Sequence, residues 1–312
     1  QSLLVPACCY IVMAVSLNLT VGILGELSLG HAGFMSLGAF SGVVASFLLA
    51  EAIPFAPLRL ALSMAVGAVF GAAGGVIVGV PVLRLQGDYL AIVTLAFGQI
   101  IKNIIMVLYV GVDGEGFHMA LSSERFHLAE DGTAIIKGPM GAVGVQKLAS
   151  FTAGFVLILI TLLVVQNLVN SRSGRAIMAL RDNRIAAESV GINVTKYKLM
   201  AFVTSAALAG AAGALFGLNY SSTVASKFDF NSSILVLVFV VLGGLGSIRG
   251  SIIAAAVLYV LPELLRQFNI SDYRMLIYAI ILILVMLVTN NDQLKSMLGR
   301  IIPKRKGAAS HG

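Results

Sequence analysis

The sequence predicts an all-α fold, a polytopic bundle of about nine transmembrane helices. Two observations predict it. Hydrophobic residues fill 58% of the 312 positions and charged residues only 11%, against about 25% charged in an ordinary soluble domain. A soluble domain needs a polar coat that this composition does not supply, whereas a lipid-facing surface needs none. The apolar residues also come in runs close to the ~20 that one helix needs to cross hydrocarbon.

In order, the runs are 3–24, 30–50, 59–80, 89–110, 150–169, 199–218, 233–246, 251–266 and 274–290. Run 233–246 is short, and Gly243, Gly244 and Gly246 interrupt the chain before the next one. A broken helix at membrane depth is tolerated only where protein or a polar cavity satisfies its backbone, so 233–266 reads either as two spans or as a re-entrant turn. Gly67, Gly71, Gly75 and Gly79 lie four apart, as do Gly38 and Gly42, and Gly213 and Gly217, with Ala206 and Gly210 beside them. Small residues at that spacing let helix backbones approach closely, so the bundle is expected to be tight. Cys8 and Cys9 have neither zinc-site nor disulfide spacing and read as small buried residues.

The net charge of +7 does not point to nucleic acid, because Lys and Arg flank apolar runs. That is the positive-inside pattern. Loop 171–198 holds Arg172, Arg175, Arg181, Arg184, Lys196 and Lys198 against Asp182 and Glu188, a net +4, and is placed in the cytoplasm. The tail 291–312 holds Lys295, Arg300, Lys304, Arg305 and Lys306 against Asp292, again +4, and is placed there too. Stretch 111–150 holds Asp113, Glu115, Glu124, Glu130 and Asp131 against Arg125, Lys137 and Lys147, a net −2, and is placed outside. Alternation then sets 51–58, 220–232 and 267–273 outside, and 25–29, 81–88 and 247–250 inside. It leaves Gln1 outside, which predicts one more helix before it in a full-length chain. The first apolar run has no basic flank, so it does not read as a signal peptide.

Ionisable residues at membrane depth are functional candidates. Lys102 shares a helix face with Gln99 and Asn103 at three- and four-residue spacing. Glu26 and His31 lie in GELSLGHAGF near an inner boundary. No central carboxylate relay of a proton-coupled carrier is present. His118 and His127 lack metal-ligand spacing, and GVDGEG (111–116) lacks the calcium-loop pattern. There is no nucleophile elbow, no HExxH and no GxxxxGK[ST]. No catalytic residue and no metal or cofactor site is therefore expected, and any driving ATP belongs to another chain. The outer stretch of about 40 residues is too short for a folded receptor or enzyme domain.

Loop 171–198 is more than a charge marker. Gly174 opens a helical run in which Ala176, Ile177, Leu180 and Arg181 share a face, and 183–190 forms a second run that ends at Gly191, a good left-handed stop. One or two short helices on the cytoplasmic face are expected. Anionic headgroups attract such arginines, but the acids among them and the small Ala186, Ala187 and Gly191 suit a protein groove.

Four stretches carry a resemblance: SLNLTVGILGELSLGHAGFMSLGAF (16–40), LQGDYLAIVTLAFGQI (85–100), SRSGRAIMALRDNRIAAESVGINVTKYKLMAFVTSAALAGAAGALFG (171–217) and VVLGGLGSIRGSIIAAAVL (240–258). They resemble the LivM-type permeases of branched-chain amino acid ABC importers. The resemblance implies the ABC-importer permease fold and a bacterial or archaeal cell (inner) membrane. It also implies a second related permease, two cytoplasmic ATPases that use ATP and Mg, and an extracellular substrate-binding protein. AAESVG (186–191) matches the Ala-Ala-x-x-x-Gly part of the importers' coupling signature, with Ile185 where that signature has Glu, and GVDGEG departs from the family's usual outer turn.

On this reading Arg172, Gly174, Arg175, Leu180, Arg181, Arg184, Ala186, Ala187 and Gly191 couple to the ATPase. The glycine-rich or polar breaks at 26–33, 88–94 and 243–250 are candidate gates. Glu26, Ser28, His31, Tyr89, Thr94, Gln99, Lys102 and Asn103 are candidates for the path. Related permeases carry urea or sugars, and a stand-alone secondary transporter is the further alternative.

Overall fold

The computed structural model describes residues 3–82, 85, 87–113, 116–123, 126, 132–267, 280 and 283. The chain divides into two compact units, Gln1–Val257 and Leu258–Gly312. The first holds helices α1 (Leu4–Asn18), α2 (His31–Leu48), α3 (Ala56–Val82), α4 (Asp88–Val107), α5 (Phe151–Asn170), α6 (Arg172–Asp182), α7 (Arg184–Ser189), α8 (Val194–Gly217) and α9 (Phe230–Gly243), and α10 (Ile248–Gln267) begins in it. A π-helical segment, Leu19–Ile23, extends α1.

Among the described residues seven helical segments are long and apolar enough to cross a membrane, and Ile248–Pro262 is a shorter apolar helix. Eight of the nine expected runs are thus helices; of the ninth, 274–290, only residues 280 and 283 are among the described residues, and the tail 291–312 lies outside them. Run 233–246 and its successor are two helices joined at 244–247, where Gly244 (φ +90°) and Gly246 (φ +82°) adopt a backbone that favours glycine.

The glycine faces form the centre of the bundle. α2, α3 and α8 meet along them: a Cβ added at Gly71 would lie 2.5 Å from the Ala206 carbonyl oxygen and 3.0 Å from Gly210 Cα. One at Gly42 would lie 2.5 Å from Ala214 Cβ, and one at Gly75 2.7 Å from Ala206 Cβ. The backbones are therefore at the closest approach that glycine permits, and van der Waals contact supplies the association that lipid cannot drive. α1 and α8 are largely buried, while α4 and α5 are largely exposed. Cys8 and Cys9 are free and buried in α1.

The structure adds one element to the all-α expectation. Strands β1 (Tyr109–Asp113), β2 (Gly116–Ala120), β3 (Thr133–Lys137), β4 (Ala142–Val143) and β5 (Ser222–Thr223) form an antiparallel sheet in the order β2-β1-β3-β4-β5. The pairing Ala142↔Thr223 ties stretch 111–150 to the segment after α8, and Arg59 Nη2 at the start of α3 donates to Gln146 Oε1 (2.8 Å). Segments assigned to one side by alternation therefore meet at one end of the bundle. The sheet escaped the sequence because β1–β3 and β4–β5 pair segments distant in the chain, and strand preference depends on such neighbours.

Candidate coupling and pathway site

The opposite end is organised around the connection from α1 to α2. The π segment closes with Leu24 N–H bonded to the Leu19 carbonyl (3.1 Å), and Gly25 then turns the chain at φ +81°. π segments recur at functional sites. Irregular backbone follows to Gly30, and its polar groups find partners from several elements. Leu29 N–H donates to Thr94 Oγ1 of α4 (3.1 Å), and Ala32 N–H donates to Ser233 Oγ of α9 (3.1 Å). A Cβ at Gly33 would lie 2.8 Å from Gly98 Cα of α4. A Cβ at Gly22 would lie 2.8 Å from Gly246 Cα. The three predicted breaks, at 26–33, 88–94 and 243–250, thus converge on residues 18–33.

The predicted path residues divide by environment. Ser28, His31 and Thr94 are buried. The Ser16 hydroxyl donates to the Met13 carbonyl (2.9 Å), so at 2.8 Å it accepts from His31 Nε2. His31 thereby ties α2 to α1 inside the bundle. Glu26 is partly buried and forms an ion pair with Lys198 of α8. On α4, Tyr89 and Asn103 are exposed and Gln99 and Lys102 are half-buried. These last three share the helix with exposed Ile92, Ile100 and Ile104.

Loop 171–198 folds into α6, α7 and the first turn of α8. Each start has a side-chain cap: Ser171 Oγ accepts from Gly174 N–H (3.1 Å), Asn183 Oδ1 from Ala186 N–H (3.0 Å) and Asn193 Oδ1 from Lys196 N–H (3.0 Å). α7 ends at Ser189 with Val190 as its C-cap, and Gly191 follows at φ +84°. Ile177, fully buried, roots α6 among Val15, Leu19, Ile23, Val165, Ala201 and Leu208. Leu180, Ala187 and Val194 form a second small cluster beneath α7.

The residues expected to couple therefore play two parts. Gly174, Leu180 and Ala187 are buried and fasten the helices to the bundle, while Arg172, Arg175, Ala186 and Gly191 are exposed. Arg184 reaches Glu188 (3.4 Å). Arg181 pairs with Asp182 (3.2 Å) and turns inward to donate from Nη1 to the Gly22 carbonyl (3.1 Å). Gly25, Glu26, Arg181, Arg184 and Lys198 line a cavity of about 360 Å³.

Lys198 was counted among the loop's cations. It is instead buried in α8 (5% exposed) with Glu26 as its partner. Ser16, Asn18, Ser205, Ser233 and Ser251, all buried and polar, were not singled out. Their signal was a polar residue inside an apolar run, which Asn18 in SLNLTVG shows best. Among the described residues no three His, Cys, Asp or Glu side chains converge in a way that suits a metal ion.

A glycine-seamed apolar bundle with hydrogen-bonded breaks in its helices is the architecture of a multi-pass membrane transport protein. Comparison with known proteins narrows this class. Residues 1–286 match the family described as the branched-chain amino acid transport system / permease component, and the chain belongs to that family. It is 35% identical over 289 residues to the high-affinity branched-chain amino acid transport system permease protein LivM of Escherichia coli (strain K12), which covers 89% of this chain and 66% of that one. It is 34% identical over 118 residues to the permease protein LivH of Salmonella typhimurium, 38% of each chain. It is 26% identical over 287 residues to the ribose import permease protein RbsC of Haemophilus influenzae, covering 90% of this chain and 81% of that one. The chain thus spans less than the full length of the LivM proteins it matches, 66% in each case. No solved structure matches it.

Proposed function

We propose that this chain is the membrane-spanning translocation subunit of an ATP-driven importer of branched-chain amino acids. The observation that carries the coupling part is the shape of α6–α7. Its base is rooted in the bundle through Ile177 and Leu180, while Ile185 in α7 and Val190 at its C-cap stand 80% and 76% exposed. Two large apolar side chains held out on a capped, anchored helix suit a groove on a partner protein better than water. That partner is a cytoplasmic ATPase, present in two copies, which binds the ATP and Mg that this chain has no motif to hold. The exposed Arg172 and Arg175 at the start of α6 and the half-buried Arg184 at the start of α7 serve the same contact or the lipid headgroups beside it.

In this reading loop 171–198 and the tail face the cytoplasm, and stretch 111–150 with its sheet faces outside, toward a substrate-binding protein. The +4, +4 and −2 charges of these segments support that orientation. The path runs between this chain and a second permease. Supporting it, the side chains of Gln99, Lys102 and Asn103 make no hydrogen bond to the described residues although they lie on a largely exposed apolar helix. Such groups favour a partner helix or a wet path over hydrocarbon. ATP-driven closure of the ATPases moves α6–α7 as a rigid body. The chain itself performs no covalent chemistry.

The identity to LivM supports branched-chain amino acids as the cargo, and the more distant likeness to RbsC keeps a sugar as the second reading. The test is purification of the chain with its natural partners, reconstitution into vesicles, and uptake of labelled leucine. ATP-dependent uptake, competed by valine and isoleucine but not by ribose or urea, is expected. Uptake by the lone chain without ATP would overturn the reading.

A further inference from the structure

Asn18, the last residue of α1, is fully buried. Both arms of its amide reach one place. Oδ1 accepts from Gly246 N–H (2.9 Å), and Nδ2 donates to Ser251 Oγ (3.0 Å). A backbone N–H only donates, so the oxygen must face Gly246. Ser251 is buried as well, and its hydroxyl donates to the Ser247 carbonyl (3.1 Å). Among the described residues, Asn18 supplies the side-chain hydrogen bond that reaches the α9–α10 turn from another element.

One turn further along, Gly22 touches the same turn. Its carbonyl accepts from Arg181 Nη1 of α6 (3.1 Å), and a Cβ on Gly246 would lie 3.9 Å from that nitrogen. The contacts are continuous: the α6 guanidinium, the π-segment carbonyl, the Asn18 amide, and the glycine turn between α9 and α10. The turn at 244–247 contains Gly244 and Gly246 at φ +90° and +82°, a backbone that glycine adopts without the penalty a Cβ would bring. The amide that holds it is buried with both arms paired and resists detachment.

We infer that Asn18 is a positioning residue for transport, which makes the α9–α10 turn follow the movement of α6. The inference rests on the reading of α6–α7 as the coupling element. When α6 shifts, Arg181 draws Gly22, and Asn18 carries the shift to Gly246 and Ser251. Leucine has a similar size but no amide, so it fills the space without holding the turn.

The test uses the intact importer in vesicles, with Asn18→Leu and Ser251→Ala. ATP hydrolysis and leucine uptake are read in the same sample. Hydrolysis within twofold of the parent is expected, with uptake per ATP down at least tenfold for Asn18→Leu and about threefold for Ser251→Ala. Unchanged uptake per ATP in both variants overturns the inference. A second measurement needs neither transport nor a known cargo. A spin label is placed at Leu245, which is 59% exposed, while Cys8 and Cys9 stay buried and unlabelled. Arg181→Gln is expected to change the label's spectrum in the parent complex, and that change should shrink at least threefold in the Ser251→Ala or Asn18→Leu background. A spectrum insensitive to Arg181→Gln, or an undiminished effect in both backgrounds, overturns the inference. Absence of ATP-driven uptake in the parent sinks only the functional reading, because the spectra still decide the role of Asn18.

Discussion

Replacing Lys198 by Met removes the cation from a buried ion pair while keeping the length of the side chain. Lys198 is 7% and Glu26 15% exposed at the side chain, so water can do little to solvate the carboxylate left behind. Breaking such a pair from one side costs about 3–5 kcal/mol. The residual exposure of Glu26 favours the lower end, about 3 kcal/mol. For a domain of comparable size each kcal/mol shifts the midpoint by about 2–4 °C, so a fall of ~6–12 °C is expected. The chain has no tryptophan, but its two cysteines are buried in α1. A thiol-reactive dye therefore reports unfolding of the purified chain in detergent. The double replacement Glu26→Gln/Lys198→Met removes both charges and should regain most of the loss, because an apolar substitute for a buried pair is often neutral. A Lys198→Met midpoint within about 2 °C of the parent, or a double variant no better than the single, would refute the reasoning.

Three further outcomes follow from the geometry. Gly71→Ala puts a methyl 2.5 Å from the Ala206 carbonyl oxygen. The cost is about 1–3 kcal/mol, read by the same dye, and Gly71→Leu should give no folded protein by size-exclusion chromatography. Gly25→Ala forces an L-residue to φ +81° and sets its Cβ 2.5 Å from Arg181 Cγ. A loss of about 1–3 kcal/mol should come with reduced leucine uptake per ATP, since Arg181 must leave the Gly22 carbonyl. Ile185→Asp changes an 80% exposed side chain. The midpoint should move by no more than about 0.5 kcal/mol equivalent, while ATPase co-purifying with the chain drops about tenfold, and retention of the ATPase would refute the docking role of α7.

How much of the molecule was legible depends on the range of the forces involved. Hydrophobic run length is a local property, and it placed eight described helices. The period of Gly67, Gly71 and Gly75 is also local, and it marked the face that meets α8. The α6–α7 pair was readable because caps, helical spacing and the glycine stop at Gly191 all act within a few residues. The breaks at 26–33, 88–94 and 243–250 were visible one by one for the same reason.

That these breaks touch one another is a tertiary fact. A one-dimensional pattern does not say that Thr94 serves Leu29, that Ser233 serves Ala32, or that Asn18 serves Gly246. Lys198 shows the limit best. In the sequence it is one more positive charge in loop 171–198, and counting it there helped to place the loop. In the fold α8 begins at Val194, so Lys198 turns into the bundle and meets Glu26. The charge of a residue is fixed by its chemistry. Whether that charge faces water, lipid or a buried carboxylate is decided by the packing of segments far apart in the chain.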